Sequence, residues 1–454
     1  MVRRHLPQPF EIEEINFRRC FSARSFRHFV LLMTGWVLTV GQHTVSRVIL
    51  TMRLHDSEHF GSDYRFLSRA RWDPDHVAQI LFRMMVDLFV PAEAEVVVVV
   101  DDTLNKHCGK KICGAGLQHD GSARKRDGQQ GYGLCFVVIG LAVRWPGVSD
   151  RVFCLPFAGR LWWPSKAKVQ PTELTRKTKP ELGLELIRLT RDWLEPWRRL
   201  RVVIDISYCC RKIIMGRPEG VHITGRVRMD SSLYEVPLCP LRRPQGRPRV
   251  KGKRLPTPEA MCKDATLKWE RTSVSRYGKE IEVDVHHFLA IWYHSARNEI
   301  LSFLLVRDPS GTHADTVFFD TDPTASPRQI VAHYSSRWSI EITNRETKQL
   351  LGSADPQCRT EQAVIRTPLF AYWAYSFVVV WFIRQFSQGK RLVREAGPWY
   401  GQKANTSFSD MLAAARRSHF TANFLTEAVQ TRPLSTKHPA RSTRPTQYTR
   451  RAKL

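Results

Sequence analysis

Five consecutive valines, Val96 to Val100, run directly into Asp101 and Asp102. Successive strand side chains point to opposite faces, so a strand of five valines has no face for water. The run predicts a central strand covered on both sides, hence helices above and below a sheet and an α/β architecture. A second β-branched run, Arg201 to Ile204, ends the same way, in Asp205. Open α/β sheets place their sites outside the carboxyl ends of strands, so both aspartate positions are candidates for chemistry. Each also has a plainer reading: Asp101 and Asp102 as the start of a turn, Asp205 as a helix cap.

A third carboxylate comes from Tyr334 to Gly352, a stretch of helix length. On a helical wheel Arg337, Glu341, Arg345 and Lys348 all fall within roughly 60° of Tyr334. One face thus carries a phenol, a carboxylate and three cations. Ordinary i,i+4 pairs, Arg337 with Glu341 and Glu341 with Arg345, explain such a face as solvated. The spacing says more. Tyr-x2-Arg-x3-Glu-x6-Lys is matched at all four positions, with Leu351 and Gly352 following. It resembles the signature of bacterial insertion-sequence transposases of the Asp-Asp-Glu (DDE superfamily endonuclease) type. Asp101 to Leu104, Gly114 to Asp120 and Gly131 to Gly133 resemble the same group, and the likeness spans about residues 20 to 385.

That resemblance implies an α/β fold: a ribonuclease-H-like mixed-sheet core with a helical N-terminal domain and an inserted β-rich subdomain. In such a core the two aspartate strands are neighbours and the Glu helix lies across them. It implies Asp102, Asp205 and Glu341 as catalytic, metal-binding residues. Asp102 is chosen over Asp101 because the group's Asp-Thr pair aligns with Asp102 and Thr103. Tyr334, Arg337 and Lys348 are placed beside transposon-end DNA, and Arg345 shares their face. Three close carboxylates are tolerable only with cations between them, and an all-oxygen set selects Mg2+ or Mn2+. Two such ions activate a water or 3′-hydroxyl and stabilise the leaving oxygen. The implied partners are double-stranded DNA, as terminal inverted repeats and as target, and a second copy of the chain in the DNA complex. Asn344, Ile206, Ser207 and the Cys209–Cys210 pair depart from the group's usual residues.

Charge agrees with such a partner. The chain of 454 residues carries a net charge of +27, which argues for a polyanion. Its hydrophobic content of 43% is enough for two or three domains. Ten scattered cysteines without a CxxC motif read as reduced thiols, which predicts a cytoplasmic protein, and the resemblance implies that it is nucleoid-associated. Residues 1 to 5 lead into a polar stretch rather than a signal sequence. The apolar runs Phe29 to Val40 and Pro368 to Ile383 are shorter than a spanning helix, so no membrane is expected and the second run reads as a buried helix.

In chain order, residues 1–92 read as a helical DNA-binding region. Phe26 to Val40, a turn at Gly41 to His43, and Thr44 to Arg53 with Thr44 as cap make the outline of a helix-turn-helix. Ser46, Arg47 and Arg53 would face DNA, although any tight helix pair shares this outline. Residues 93–227 form the first part of the core: a loop from Lys106 to Gly133, strands at Leu134–Arg144 and Arg151–Phe157, a helix at Thr175–Leu200 and a strand at Val221–Val227. Residues 228–325 read as the β-rich insertion, with strands at Leu267–Tyr277, Ile281–Tyr293 and Glu299–Arg307. Its basic arm, with Arg247 and Arg249 around Pro248, resembles a minor-groove hook and equally suits a solvated loop. Trp269, flanked by Lys268 and Glu270, is the candidate to stack on an extruded base, whereas Trp292 in an apolar run reads as core. Residues 326–385 return to the core with the Glu helix and the buried helix. Residues 386–454 hold a last helix at Ser407–Ala428 and a basic tail.

Overall fold

The computed structural model describes residues 16–54, 60–121, 129–237, 250–276, 279–387 and 405–430. Four helices come first: α1 (Ala23–Leu38), α2 (Val45–Thr51), α3 (Gly61–Ser68) and α4 (Pro74–Phe89). Their starts follow from capping chemistry. Thr44 Oγ1 accepts from the Arg47 N–H at 3.3 Å, and Asp73 caps α4 ahead of a proline in its first turn. Gly35 lets α2 close on α1, because a Cβ there would meet Val48 at 2.5 Å.

The sheet strands are β1 (Val96–Lys106), β2 (Gly116–His119), β3 (Gln130–Trp145) and β4 (Ser149–Trp162). Helix α5 (Lys179–Trp193) opens on a capping box between Thr178 and Glu181. Then come β5 (Leu200–Ile204), α6 (Arg211–Gly216) and β6 (Val221–Val227). The region expected as an insertion holds α7 (Pro258–Lys263), β7 (Glu270–Arg276), β8 (Lys279–Ile291), α8 (Tyr293–Ala296), β9 (Ile300–Arg307) and β10 (Thr316–Asp320). The chain closes with α9 (Pro327–Ser336), α10 (Trp338–Leu350), α11 (Glu361–Ser387) and α12 (Phe408–Gln430).

One sheet contains all ten strands, in the order β2-β3-β1-β5-β6-β10-β9-β8-β7, with β4 on β3. The ladders β1–β5 and β5–β6 are parallel and the others antiparallel. The run β4-β3-β1-β5-β6 is a ribonuclease-H-like mixed sheet. The strands of the inserted region extend it: β10 pairs β6 and carries β9, β8 and β7 outward.

Three local expectations are corrected. The valine strand does not stop at its aspartates; it continues to Lys106 because β3 pairs with it along the way, Asp101 opposite Val138 and Asp102 opposite Val137. The expected loop from Lys106 to Gly133 contains β2 and the first residues of β3. The stretch read as one helix around Glu341 is two, α9 and α10, joined at Arg337.

The first helices share one hydrophobic core with the sheet and with α11. Phe29, Trp36, Phe66 and Trp72 pack round Phe370. Helix α11 is long and apolar enough, over Glu361–Gln385, to cross a membrane by length and composition; 94% of its apolar window is buried here. Trp373 Nε1 donates to the Phe157 carbonyl at 2.8 Å, and Ser376 Oγ to that of Pro156 at 2.7 Å, fixing α11 on β4.

Candidate active site

The site lies where the parallel ladder between β1 and β5 ends. That ladder runs from Val96–Leu200 to Val100–Ile204, and the next residues are Asp101 and Asp205. Alternation along β1 then decides which carboxylate faces what. Val98 and Val100 belong to the large core that holds Leu182 and Leu186 of α5. Val99 packs on the other face with Val203 and with Ile340 of α10. Asp101 shares the face of Val99, toward α10, and Asp102 shares that of Val100, toward α5.

Contacts follow that division. The Arg337 guanidinium lies 2.7 Å from Glu341 Oε1, 3.8 Å from Asp101 Oδ2 and 3.8 Å from Asp205 Oδ1. Asp102 does not join them. Its Oδ2 accepts from Lys179 Nζ at 2.6 Å and its Oδ1 from the Tyr208 hydroxyl at 3.1 Å, on the opposite side of the strand. The sequence reading takes Asp102 as the ligand, whereas the structure gathers Asp101, Asp205 and Glu341 round one cation and places Asp102 in a separate cluster. Asp205 stands at the cap position of a 3-10 turn, Ile206–Tyr208, yet its side chain makes no capping bond. The sulfur of Cys209 contacts the Asp205 carbonyl oxygen at 3.2 Å and would block a Cβ on Gly225.

Electrostatics mark the same place. Burial, reinforced by the charge of Asp102 and opposed by Arg337, pushes the Asp101 carboxyl up to about 7. Burial raises the Tyr334 phenol to about 12, with Arg337 pulling the other way. The set fits a hard divalent cation in its chemistry: three carboxylates and no soft donor. The three converge on Arg337 rather than on each other. Among the described residues no group of three or more His, Cys, Asp or Glu side chains is close enough to hold an ion as it stands.

The other predicted residues are distributed unevenly. Tyr334 packs on Phe318, ring centres 4.5 Å apart, and its ring lies 5.7 Å from Arg337. Lys348 is half-buried and donates to the Leu104 carbonyl at 2.9 Å, holding α10 to β1. Arg345 is exposed on the same helix. Trp269 is partly buried, with the Arg307 guanidinium 4.1 Å from its ring centre. Trp292 is core, edge-on to Phe319. Arg247 and Arg249 lie outside the described residues. Ser46, Arg47 and Arg53, on and just after α2, are exposed. Lys179 and Tyr208 also belong to the site, and the sequence offers Tyr208 only as the start of the next helix. Their only signal there is position: Tyr208 is three residues past Asp205, and Lys179 opens α5.

A family model described as DDE superfamily endonuclease matches residues 16–280, more than half of the chain. The match includes Asp101 and Asp205 and ends before Glu341. No curated protein matches the chain.

Proposed function

The chain belongs to the DDE superfamily endonucleases, and on that premise we propose that it is the transposase of an insertion sequence. It binds terminal inverted repeats, cuts their strands and joins them to target DNA. The observation that supports this most is the convergence of Asp101, Asp205 and Glu341 on Arg337 where the parallel ladder between β1 and β5 ends. These three carboxylates would hold Mg2+ or Mn2+. Bound there, the metal supplies activation of the attacking water or 3′-hydroxyl and stabilisation of the leaving 3′ oxygen.

The chain's own residues do the rest. Asp101 lies on β1 and Asp205 directly follows the parallel strand β5, and Glu341 stands on a helix that Lys348 ties to β1. Asp102, with Lys179 and Tyr208, braces the turn that carries Asp205 against β1. Tyr334, Arg345 and Lys348 lie along the DNA path, with Arg337 among them. The first helices, residues 1–92, and the arm with Arg247 and Arg249 bind further DNA, and two copies act on a pair of ends. Trp269 stacks on a displaced base once Arg307 gives way.

Single alanine substitutions at Asp101, Asp205 and Glu341 should abolish nicking of end-bearing DNA and leave its binding within a few-fold. Asp102→Ala should cleave measurably, with reduced stability. Normal cleavage by Asp101→Ala beside a dead Asp102→Ala would reverse the assignment. A strand-transfer assay on a supercoiled target separates transposase from simple nuclease.

A further inference from the structure

Arg337 is placed unusually for a residue that only grips DNA. Its side chain is 15% exposed and lies among three carboxylates. Two of the three contacts, at 3.8 Å, are too long for hydrogen bonds. Its Nε is buried without a hydrogen-bond partner. A guanidinium has five N–H donors in a fixed fork, so one held by charge, with a buried donor unpaired, is poorly satisfied where it sits. The carboxylates gain the most from it, because without a cation they repel.

We propose that Arg337 is an exchangeable counter-ion: in the metal-free protein its guanidinium neutralises Asp101, Asp205 and Glu341, and it must withdraw from Glu341 before those carboxylates can bind a divalent cation. This rests on reading the three as a metal site. Metal and guanidinium compete for Glu341 by charge: an ion about 2.0–2.1 Å from a Glu341 oxygen would stand within a few ångströms of the guanidinium now 2.7 Å from Oε1, and like charges that close repel. The withdrawal path is short. Arg337 stands at the one-residue joint between α9 and α10, and its own side chain already keeps 15% of its surface in solvent. A freed guanidinium at that joint reaches solvent, where a phosphate can take it up.

The test is Mn2+ binding to the full chain without DNA, by calorimetry and by electron paramagnetic resonance. A neighbouring cation shifts a carboxylate's affinity for its proton by about 10-fold to 1000-fold, and a divalent ion should feel at least the lower figure. Arg337→Gln should therefore bind Mn2+ about tenfold or more tighter than the wild type, and Arg337→Lys should stay near it. Metal-free Arg337→Gln should melt below the wild type, and saturating Mn2+ should close the gap. If Arg337→Gln does not fold without metal, its far-UV circular dichroism should recover at Mn2+ concentrations below those the wild type needs for saturation; no recovery at any concentration overturns the proposal. Binding by Arg337→Gln no tighter than wild type, while Glu341→Gln abolishes binding, overturns the counter-ion role and leaves the metal site standing. Mn2+ binding indifferent to both Glu341→Gln and Asp205→Asn overturns the metal site and the proposal together.

Discussion

Asp101 and Asp102 are one residue apart in sequence and on opposite sides of a sheet. One faces Arg337 and the other Lys179, so the same side chain acquires two different electrostatic settings. His333 shows the same rule of environment at the far end of the strands. Its ring lies near Arg201, and its Nε2 is 3.7 Å from Glu95. Burial, aided by the Arg201 charge, lowers its pKa to about 3. A base so depressed is neutral in the folded state and takes up a proton on unfolding below its ordinary value of 6.5. Its contribution to stability is thus fully present above pH 6.5 and is lost as pH falls toward 3. His333→Gln should flatten the acid limb of a plot of urea-unfolding free energy against pH by up to about 1.4 kcal/mol per pH unit. Parallel limbs for the two proteins would show that His333 is not the group responsible.

Among the elements, the break between α9 and α10 does the most for the site. Ser336 Oγ donates to the His333 carbonyl and Ser339 Oγ to that of Ser336, each at 2.6 Å, and such back-bonding bends helices. Around the joint the backbone shortens to i→i+3 bonds, Arg337 N to Tyr334 O at 3.0 Å and Ile340 N to Arg337 O at 3.1 Å. The far end of α10 is set by Gly352, whose φ of +56° suits glycine and whose place allows no Cβ: one would lie 2.2 Å from Asp355 Oδ2 and 2.7 Å from His43. Asp355 in turn accepts from the His43 N–H at 2.7 Å, tying the α1–α2 turn to the Glu341 helix. Gly352→Ala should cost about 2 kcal/mol of stability. Gly220→Ala, at φ +73° with nothing within 4 Å, should cost about 1 kcal/mol. Equal losses at the two positions, read by urea unfolding, would mean that the Asp355–His43 packing contributes nothing.

On the scale of the whole molecule, the sheet is continuous from β2 to β7, and a buried ionic group fastens the inserted region to the core. Arg201 on β5 contacts Asp320 on β10, with Glu95 at 2.7 Å and Thr224 of β6 at 3.2 Å. Breaking such a buried pair on one side leaves an uncompensated charge. The net charge of +27 belongs to this scale too. If it serves the proposed DNA ends, the logarithm of affinity should fall with the logarithm of salt at about −0.9 per phosphate contacted. A slope no steeper than about −1 in a salt titration of end-DNA binding would assign the charge to another purpose.

The sequence by itself determined the elements and their chemistry. Five valines required a strand buried on both faces, Thr44 began α2 where expected, and the apolar run after Pro368 formed a buried helix. Local patterns carry these because hydrophobic period and caps act over a few residues. The tertiary structure decided what depends on partners distant in the chain. Which face of β1 meets α10 is set by packing across the sheet, so Asp101 rather than Asp102 stands with Asp205 and Glu341. Pairing with β3 carried β1 six residues past its valines. The position of Arg337 among three carboxylates exists only once β1, β5 and α10 meet, and a helical wheel shows its i,i+4 pair with Glu341 but neither aspartate.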